Sequence, residues 1–499
     1  MPSPLRVLLL LGVLVAMKPI QILPPRSRFL RTSPCQVSIL SWNILLPNSK
    51  DGWWCYKTYS PKHIMDPEST EWPARRSLIR GIIERMDADI VCLQELCGDS
   101  FAEDFAFMID LGYISALYKK GRFRPATFWK PDIVSLVSEP IQKDRSLILQ
   151  LQLTHPPPSL NKESHLWVAN VHLQSGNQTA RRLRQMSDCV ESIRKEQSKL
   201  MIHKQQKGKR IEPTTQHNFT IVIAGDMNFD CDGDDPNNRT SAVEKLLLEG
   251  EVPANFIECG EMLSKKPKSL GHISPFTDSY SLAWSLRSER PPPSMVVEEL
   301  YSLLTVKAAD DDPLAMRMSD TAQTLLGRVF DSLASAILPS GERAMDADDV
   351  ERWLLRINRK LGRGSEYRAA VKLMMSASSE TQPAAEDGQE SDEEGQETAA
   401  EPTPSLPRDG LLTRAMFLSI YWAELQMGKV WGVAHDLNAC GHPLQLSEKK
   451  FLARYDRIFL QGAASLVAVV DTGGSEVDSL PNPEHPSDHL PLSCLIELN

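Results

Sequence analysis

Six short polar motifs punctuate this chain of 499 residues, each closing a run of apolar residues. They are SWN ending at Asn43, LQE ending at Glu95, NVHL around His172, GDMN with Asp226 and Asn228, RYDRIF with Asp456, and SDH with Asp488 and His489. Carboxylates hold hard divalent cations, a carboxylate beside water serves as a base, and amides and imidazoles donate to phosphate oxygens. Together these residue types suit metal-assisted hydrolysis of a phosphate ester. Alone, each motif has a plainer meaning. Asp and Asn after a strand are ordinary turn residues, and a single His is more often a satisfied core group. The ordered set carries the argument.

Such residues need strand ends to hold them. The runs VSIL, DIVCL, LWVANV and TIVIA are short, apolar and rich in β-branched residues, as expected for strands covered on both faces. Alternation puts side chains i and i+2 on one face. Asp226 and Asn228 therefore share a face, and so do Asn170 and His172. Trp72 to Met86 has helical spacing, with Leu78, Ile82 and Ile83 as the stripe and Arg75, Arg76 and Arg80 outside it. Ser100 with Glu103, and Ser241 with Glu244, have the spacing of capping boxes; the second helix should stop before Gly250. Interleaved helices and strands predict an α/β fold around one layered core.

Composition bounds the class. The apolar fraction of 41% and charged fraction of 24% are those of a globular protein. Net charge is −10, but Glu380 to Glu401 carries nine acids and no base, leaving about −1 elsewhere. A long basic stripe is not visible in these totals, which leave room for a local basic groove. The nine cysteines have no repeating spacing, which argues against a disulfide framework and for a reducing compartment. Cys92 and Cys97 lack a second pair to complete a zinc site.

Residues 1–34 read as a leader, with an apolar run from Val7 to Met17, then Arg26, Arg28 and Arg31, and no acid before Asp51. The run is too short to span a bilayer, and an acid-poor leader favours an intracellular or organellar destination over secretion. The sequons at Asn177, Asn218 and Asn238 then have no bearing. The α/β pattern occupies 36–285 and returns at 431–499. Between them, 286–430 reads as a helical insertion that includes an acidic, disordered tract over 376–407 and a helix over Thr413–Gln426.

The motif set resembles the endonuclease/exonuclease/phosphatase superfamily, over roughly 36–285 and 431–499. The resemblance implies a four-layered α/β sandwich, with two mixed sheets face to face and helices outside. It implies Glu95 as the main ligand of Mg²⁺ or Mn²⁺, with Asn43 beside it and Asp488 as a contact to a second metal or a water. Asp226 becomes the base, Asn228 orients water or phosphate, and His172 and His489 donate to non-bridging oxygens. Asp456 holds the His489 ring. Asn43, Asn170 and Arg124 are the candidate substrate contacts, Arg124 within a basic cluster with Lys119, Lys120 and Arg122. Arg181, Arg182 and Arg184 form a second cluster, and Trp53 and Trp54 are candidates either to stack a base or to cover the core edge.

EWPARRSLIRGIIERMDADIVCLQE resembles the deadenylase and nocturnin group. Where that group has an Asp-Gly-Cys-Ala-like stretch, this chain has Arg124-Pro125-Ala126-Thr127-Phe128. The insertion resembles the EF-hand-like pairs of the plant and algal calcium-binding branch. Its loops lack the oxygens calcium needs: with Asp349 twelfth, Leu338 stands first, and in the second loop Ser405 stands first and Met416 last. A retained helical pairing with lost or weak Ca²⁺ binding is expected, with Asp346, Asp348 and Asp349 as helix N-terminal acids. A further acidic run, Asp230, Asp232, Asp234 and Asp235, reads as a solvated loop.

These readings converge on a Mg²⁺-dependent phosphodiesterase acting on RNA or a nucleotide. The rivals are hydrolysis of a small phosphate ester or phospholipid head group, and a calcium-responsive regulatory protein.

Overall fold

The computed structural model describes residues 19–47, 52–64, 67–158, 160, 164–176, 178–206, 219–230, 241–258, 261–307, 316–378, 405–474 and 476–499. The first eighteen residues of the expected leader, the asparagines of the three sequons, Asp232, Asp234, Asp235 and residues 379–404 of the acidic tract lie outside the described residues.

The apolar runs form the middle of two seven-stranded sheets. One contains β1 (Gln21–Leu23), β2 (Gln36–Asn43), β3 (Ile90–Leu96), β4 (Ile114–Leu117) and β5 (Arg124–Trp129). The other contains β6 (Val134–Leu136), β7 (Ile141–Lys143), β8 (Ser146–Leu153), β9 (His165–His172), β10 (Phe219–Asp226), β11 (Thr277–Asp278) and β12 (Asp456–Gly462). The chain returns to the first sheet with β13 (Ala464–Val470) and β14 (Leu492–Leu498), giving the order β1-β13-β14-β2-β3-β5-β4. The second sheet runs β11-β12-β10-β9-β8-β6, with β7 also on β8. Both sheets are mixed: β2 and β3 are parallel, as are β9 and β10, while β12 runs antiparallel to β10.

Facing side chains fill the space between the sheets. Ile39, Ile90 and Cys92 come from the first, and Leu149, Val168, Val222, Ala224 and Ile458 from the second. Helix α1 (Trp72–Met86) covers the far side of the first sheet. Helices α2 (Thr179–Gln206) and α3 (Ala242–Glu249) cover the far side of the second. This is the four-layered α/β sandwich. Ser241 caps α3 and Gly250 ends it in the left-handed region, as the sequence implied, but the cap accepts from Val243 N and the expected box with Glu244 is not formed; the Glu244 carboxylate lies toward Arg457 instead. Ser100 forms no such cap; its hydroxyl bonds the Asp104 carboxylate instead. A short helix α4 (Ser279–Ser285) follows β11.

Two sequence expectations change here. The buried stripe of α1 is Trp72, Arg75, Ile79, Ile82, Ile83 and Met86, so Arg75 lies inside it and Leu78 at its margin. The expected leader through residue 34 overlaps the body: β1 pairs in parallel with β13, matching Gln21 to Ala468, and Phe29 is buried.

Five helices pack around their own core: α5 (Asp320–Leu333), α6 (Ala347–Asn358), α7 (Gly364–Ser378), α8 (Arg414–Gln426) and α9 (Val430–Ala439). Trp353, Phe417, Phe330 and Tyr421 lie at its centre. The block reaches past residue 430, because Val433 and Leu437 of α9 belong to this core. The loop before α6 and the loop before α8 join through antiparallel pairing of Met345 with Leu412 and Ala344 with Thr413. Asp346 caps α6 in a reciprocal capping box with Asp349. Asp349 also accepts from Ser335 N and Oγ at 2.8 Å each and pairs with Arg352. Its oxygens are thus engaged by the protein's own donors. No helix among the described residues is long and apolar enough to cross a membrane.

Candidate active site

Strand register brings the polar motifs to one rim. β10 lies between β9 and β12, and the row His172, Asp226, Asp456 runs across the three strands at one level. On the opposing sheet, Asn43 ends β2 beside Gln94 of β3. Asn43 shares a face with Val37 and Ile39, and Asp226 with Val222 and Ala224, all lining the inter-sheet core. Both therefore emerge where that core ends.

Glu95 reaches the same place by a different route. Leu93 and Leu96 pack on the outer face with α1, so simple alternation would send Glu95 outward. The β3–β5 pairing shifts register between Leu93 and Leu96, and Glu95 has φ 62°. A bulge with one residue in the left-handed region turns the carboxylate inward, at a cost in backbone strain that packing must offset.

The resulting centre is compact. Asn43 Nδ2 donates to Glu95 Oε1 and Asp226 Oδ2, each at 3.0 Å. His172 Nε2 lies 3.7 Å from both of those oxygens. His489 Nε2 stands 3.8 Å from Asp226 Oδ2, while its Nδ1 is 2.7 Å from Asp456 Oδ2. Asn228, with φ 51°, donates its backbone N–H to Asp226 Oδ1 at 2.8 Å and its amide to Leu173 O at 2.9 Å. Just before Asp226, Gly225 has φ 146°, and a Cβ there would stand 1.9 Å from Val171 O. Only glycine lets β10 approach β9 this closely.

Burial and charge divide the two imidazoles. Burial, with Arg145 and His489 nearby, pulls His172 down to about 4 against the attraction of Asp226. Burial also opposes charge on His489, yet Asp456, Asp488 and Asp226 hold it well above the ordinary value. One ring is neutral near pH 7 and the other cationic. Burial pushes the Glu95 carboxyl up to about 7; the charges of Asp488 and Asp226 add to the rise, while Asn43 and His489 oppose it.

That crowding of carboxylates is what a divalent cation relieves. Among the described residues no group of three or more His, Cys, Asp or Glu stands in ligating geometry. A hard divalent cation that takes one or two carboxylates and keeps several waters, as Mg²⁺ does, would fit these donors. Glu95 and Asn43 would hold it, with Asp488 close enough to act on the Glu95 charge.

The loops that carry these groups are stitched together. Ser487 Oγ donates to Asn43 O at 2.7 Å, and Trp42 Nε1 donates to His489 O at 2.8 Å. Ser294 Oγ accepts from Asp456 N at 3.1 Å, and Ser294 O accepts from Leu490 N at 2.7 Å. Arg75, fully buried, donates to Ile44 O, Leu45 O, Leu46 O and Pro486 O at 2.6 to 2.8 Å. It ties the segment after Asn43 to the segment before Asp488. Its charge suggests a place outside the apolar stripe, but its i, i+4, i+7 spacing with Ile79 and Ile82 is the signal for burial. Arg454 and Arg457 of RYDRIF, also unassigned from sequence, bind the buried Asp278 carboxylate.

Two expected substrate contacts fall elsewhere. Asn170 is buried inside the sandwich, donating to Leu93 O and Ala126 O and accepting from Gln94 Nε2. It shares the His172 face but lies two residues deeper, beyond reach of the rim. Arg124 shares the outer face of β5 with Ala126 and Phe128; its guanidinium lies over Gly98 and donates to Gly121 O. Arg181 and Arg184 approach Asp144, and Arg182 is buried against Gln174 O and Gly176 O. Trp54 stacks on Trp431 and Trp53 lies beneath Arg363, so both face the helical block. Cys92 and Cys97 are buried free thiols.

The sequence profile of the Endonuclease/Exonuclease/phosphatase family matches residues 40–489. A 76-residue stretch is 41% identical to the CCR4-Not complex 3′-5′-exoribonuclease subunit Ccr4 of Phaeosphaeria nodorum, covering 15% of this chain and 12% of that protein's length. Among solved structures, ANGEL2, a 2′,3′-cyclic phosphatase in complex with adenosine-2′,3′-vanadate, aligns at 16% identity with a TM-score of 0.42, covering 93% of this chain and 96% of that one. The human Nocturnin catalytic domain with bound sulfate aligns at 13% identity and a TM-score of 0.40, covering 95% and 100%.

Proposed function

The chain belongs to the endonuclease/exonuclease/phosphatase family, and from that premise we propose that it is a Mg²⁺-dependent phosphodiesterase acting on RNA or nucleotides, with water as nucleophile. One observation carries the reading: a single amide, Asn43 Nδ2, bridges the carboxylates of Glu95 and Asp226 where two histidines also converge.

Asp226 takes the proton from the attacking water. Its second oxygen is fixed by the Asn228 backbone, so the base keeps one orientation. The cationic His489, oriented by Asp456, donates to a non-bridging oxygen as negative charge builds at phosphorus. Neutral His172 gives one further hydrogen bond from the other side. A divalent cation held by Glu95 and Asn43 would supply Lewis-acid stabilisation of the phosphoryl oxygens.

The rim favours a nucleotidyl substrate. Phe123 lies edge-on to His172 with ring centroids 6.4 Å apart, and the Arg122 guanidinium sits 5.5 Å over its face. An aromatic face with a cation beside the hydrolytic centre suits a base and its phosphate. The stretch similar to an exoribonuclease subunit points the same way.

The test is a panel of single-stranded RNA, abasic DNA, inositol phosphates, sphingomyelin and nicotinamide dinucleotide phosphate, each with Mg²⁺ and with chelator. RNA or dinucleotide turnover that chelator abolishes is expected. Turnover confined to inositol phosphates or sphingomyelin would transfer the protein to the rival class.

A further inference from the structure

The helical block grips the segment that sets the Asn43 amide. Lys57 lies on a short turn, Cys55–Thr58, with its side chain 3% exposed. Its ammonium stands 3.2 Å from Glu366 Oε1 on α7 and 3.1 Å from Asp436 Oδ1 on α9. Neighbouring residues are held by the same block. Trp54 stacks on Trp431 at 4.9 Å with an interplanar angle of 23°. Tyr56 OH donates to Ile357 O at 3.1 Å, and the Arg359 guanidinium lies 3.8 Å over the Tyr56 ring.

Cys55, between them, turns the other way. Its Sγ donates to Leu45 O at 3.3 Å and Leu46 O at 3.5 Å. Leu45 and Leu46 have φ 53° and 29°, conformations that persist only where neighbours hold them. Leu45 N donates to Asn43 Oδ1 at 3.1 Å. That bond fixes which end of the amide faces the carboxylates, so Nδ2 points to Glu95 and Asp226.

We propose that Lys57 is a positioning residue for hydrolysis: pinned by Glu366 and Asp436, it holds the Cys55–Thr58 turn against Leu45 and Leu46 so that Leu45 N–H orients the Asn43 amide. The inference rests on hydrolysis at the Asn43–Glu95–Asp226 centre and not on which ester is cleaved. Three apolar side chains in place of the whole buried triad would serve stability as well, whereas removing the cation alone leaves two buried carboxylates without their partner. What the charges supply is one register of the segment against the block. The helical block is thereby part of the catalytic apparatus.

The experiment uses the full chain and reads kcat, KM, circular dichroism and amide hydrogen exchange of peptides spanning 44–58. Lys57→Met should lower kcat at least tenfold, leave KM within threefold, and raise exchange at Leu45 and Leu46 with the fold retained. Lys57→Arg should restore most of kcat. Trp431→Ala, which leaves the buried charges intact, should reproduce the same signature from the block side. A kcat within twofold of wild type in both Lys57→Met and Trp431→Ala would overturn the proposal, as would a loss matched by loss of folded protein in both. If RNA is not turned over, whichever panel ester is hydrolysed replaces it, and only the substrate reading fails. If no ester is hydrolysed, unchanged exchange at 44–46 in both variants overturns the proposal.

Discussion

Asp226→Asn is expected to give a folded protein whose kcat on a phosphodiester is lower by roughly a thousandfold. The substitution keeps size and removes only the negative charge and proton-accepting capacity. Asp226 sits at the meeting point of Asn43 Nδ2, His172 Nε2 and His489 Nε2, so its loss reaches every other group in the centre. The fold should survive, because the register of β10 against β9 and β12 is made by backbone bonds and Gly225 is untouched. Steady-state turnover alongside circular dichroism checks this. A kcat within tenfold of wild type would remove Asp226 from the role of base.

The second large effect falls on stability. Arg75→Met should destabilise the protein by about 3 kcal/mol or more. A methionine fills much of the volume but abandons four carbonyls, those of Ile44, Leu45, Leu46 and Pro486. Three of those belong to consecutive residues, two of them with positive φ, so no local turn can satisfy them by relaxing slightly. Arg75→Lys should fall between, since one ammonium cannot reach all four acceptors in a plane. Chemical denaturation measures it. A midpoint for Arg75→Met indistinguishable from wild type would show that the segment is held by other means.

Much of this site was legible in the amino-acid order, for physical reasons that differ by residue. The strands stood out because parallel strands buried on both faces must be nearly continuous apolar runs. The helix over Trp72–Met86 was visible from its spacing. The motifs that end the strands identified Asn43, His172, Asp226, Asp456 and His489, and the structure brings all five together. Alternation, however, gives a side chain's face and not its depth, so Asn170 reads as a rim residue although it is buried against Leu93 O and Ala126 O. It fails at bulges too: parity would have sent Glu95 outward, and only a left-handed φ returns it. Arg75 has the charge of an exposed residue and the spacing of a buried one, and its four carbonyl partners decide for burial. The grip of the helical block on Trp54, Tyr56 and Lys57 has no local signature, since its partners lie more than three hundred residues onward.

The central claim is that Asn43, Glu95 and Asp226 converge on one cation-dependent hydrolytic centre. Calorimetric titration of Mg²⁺ or Mn²⁺ into wild type and Glu95→Gln tests it most directly. Binding that Glu95→Gln weakens at least tenfold, with the fold intact, is the expected result. Equal affinity in the two proteins would place the ion elsewhere and contradict the account.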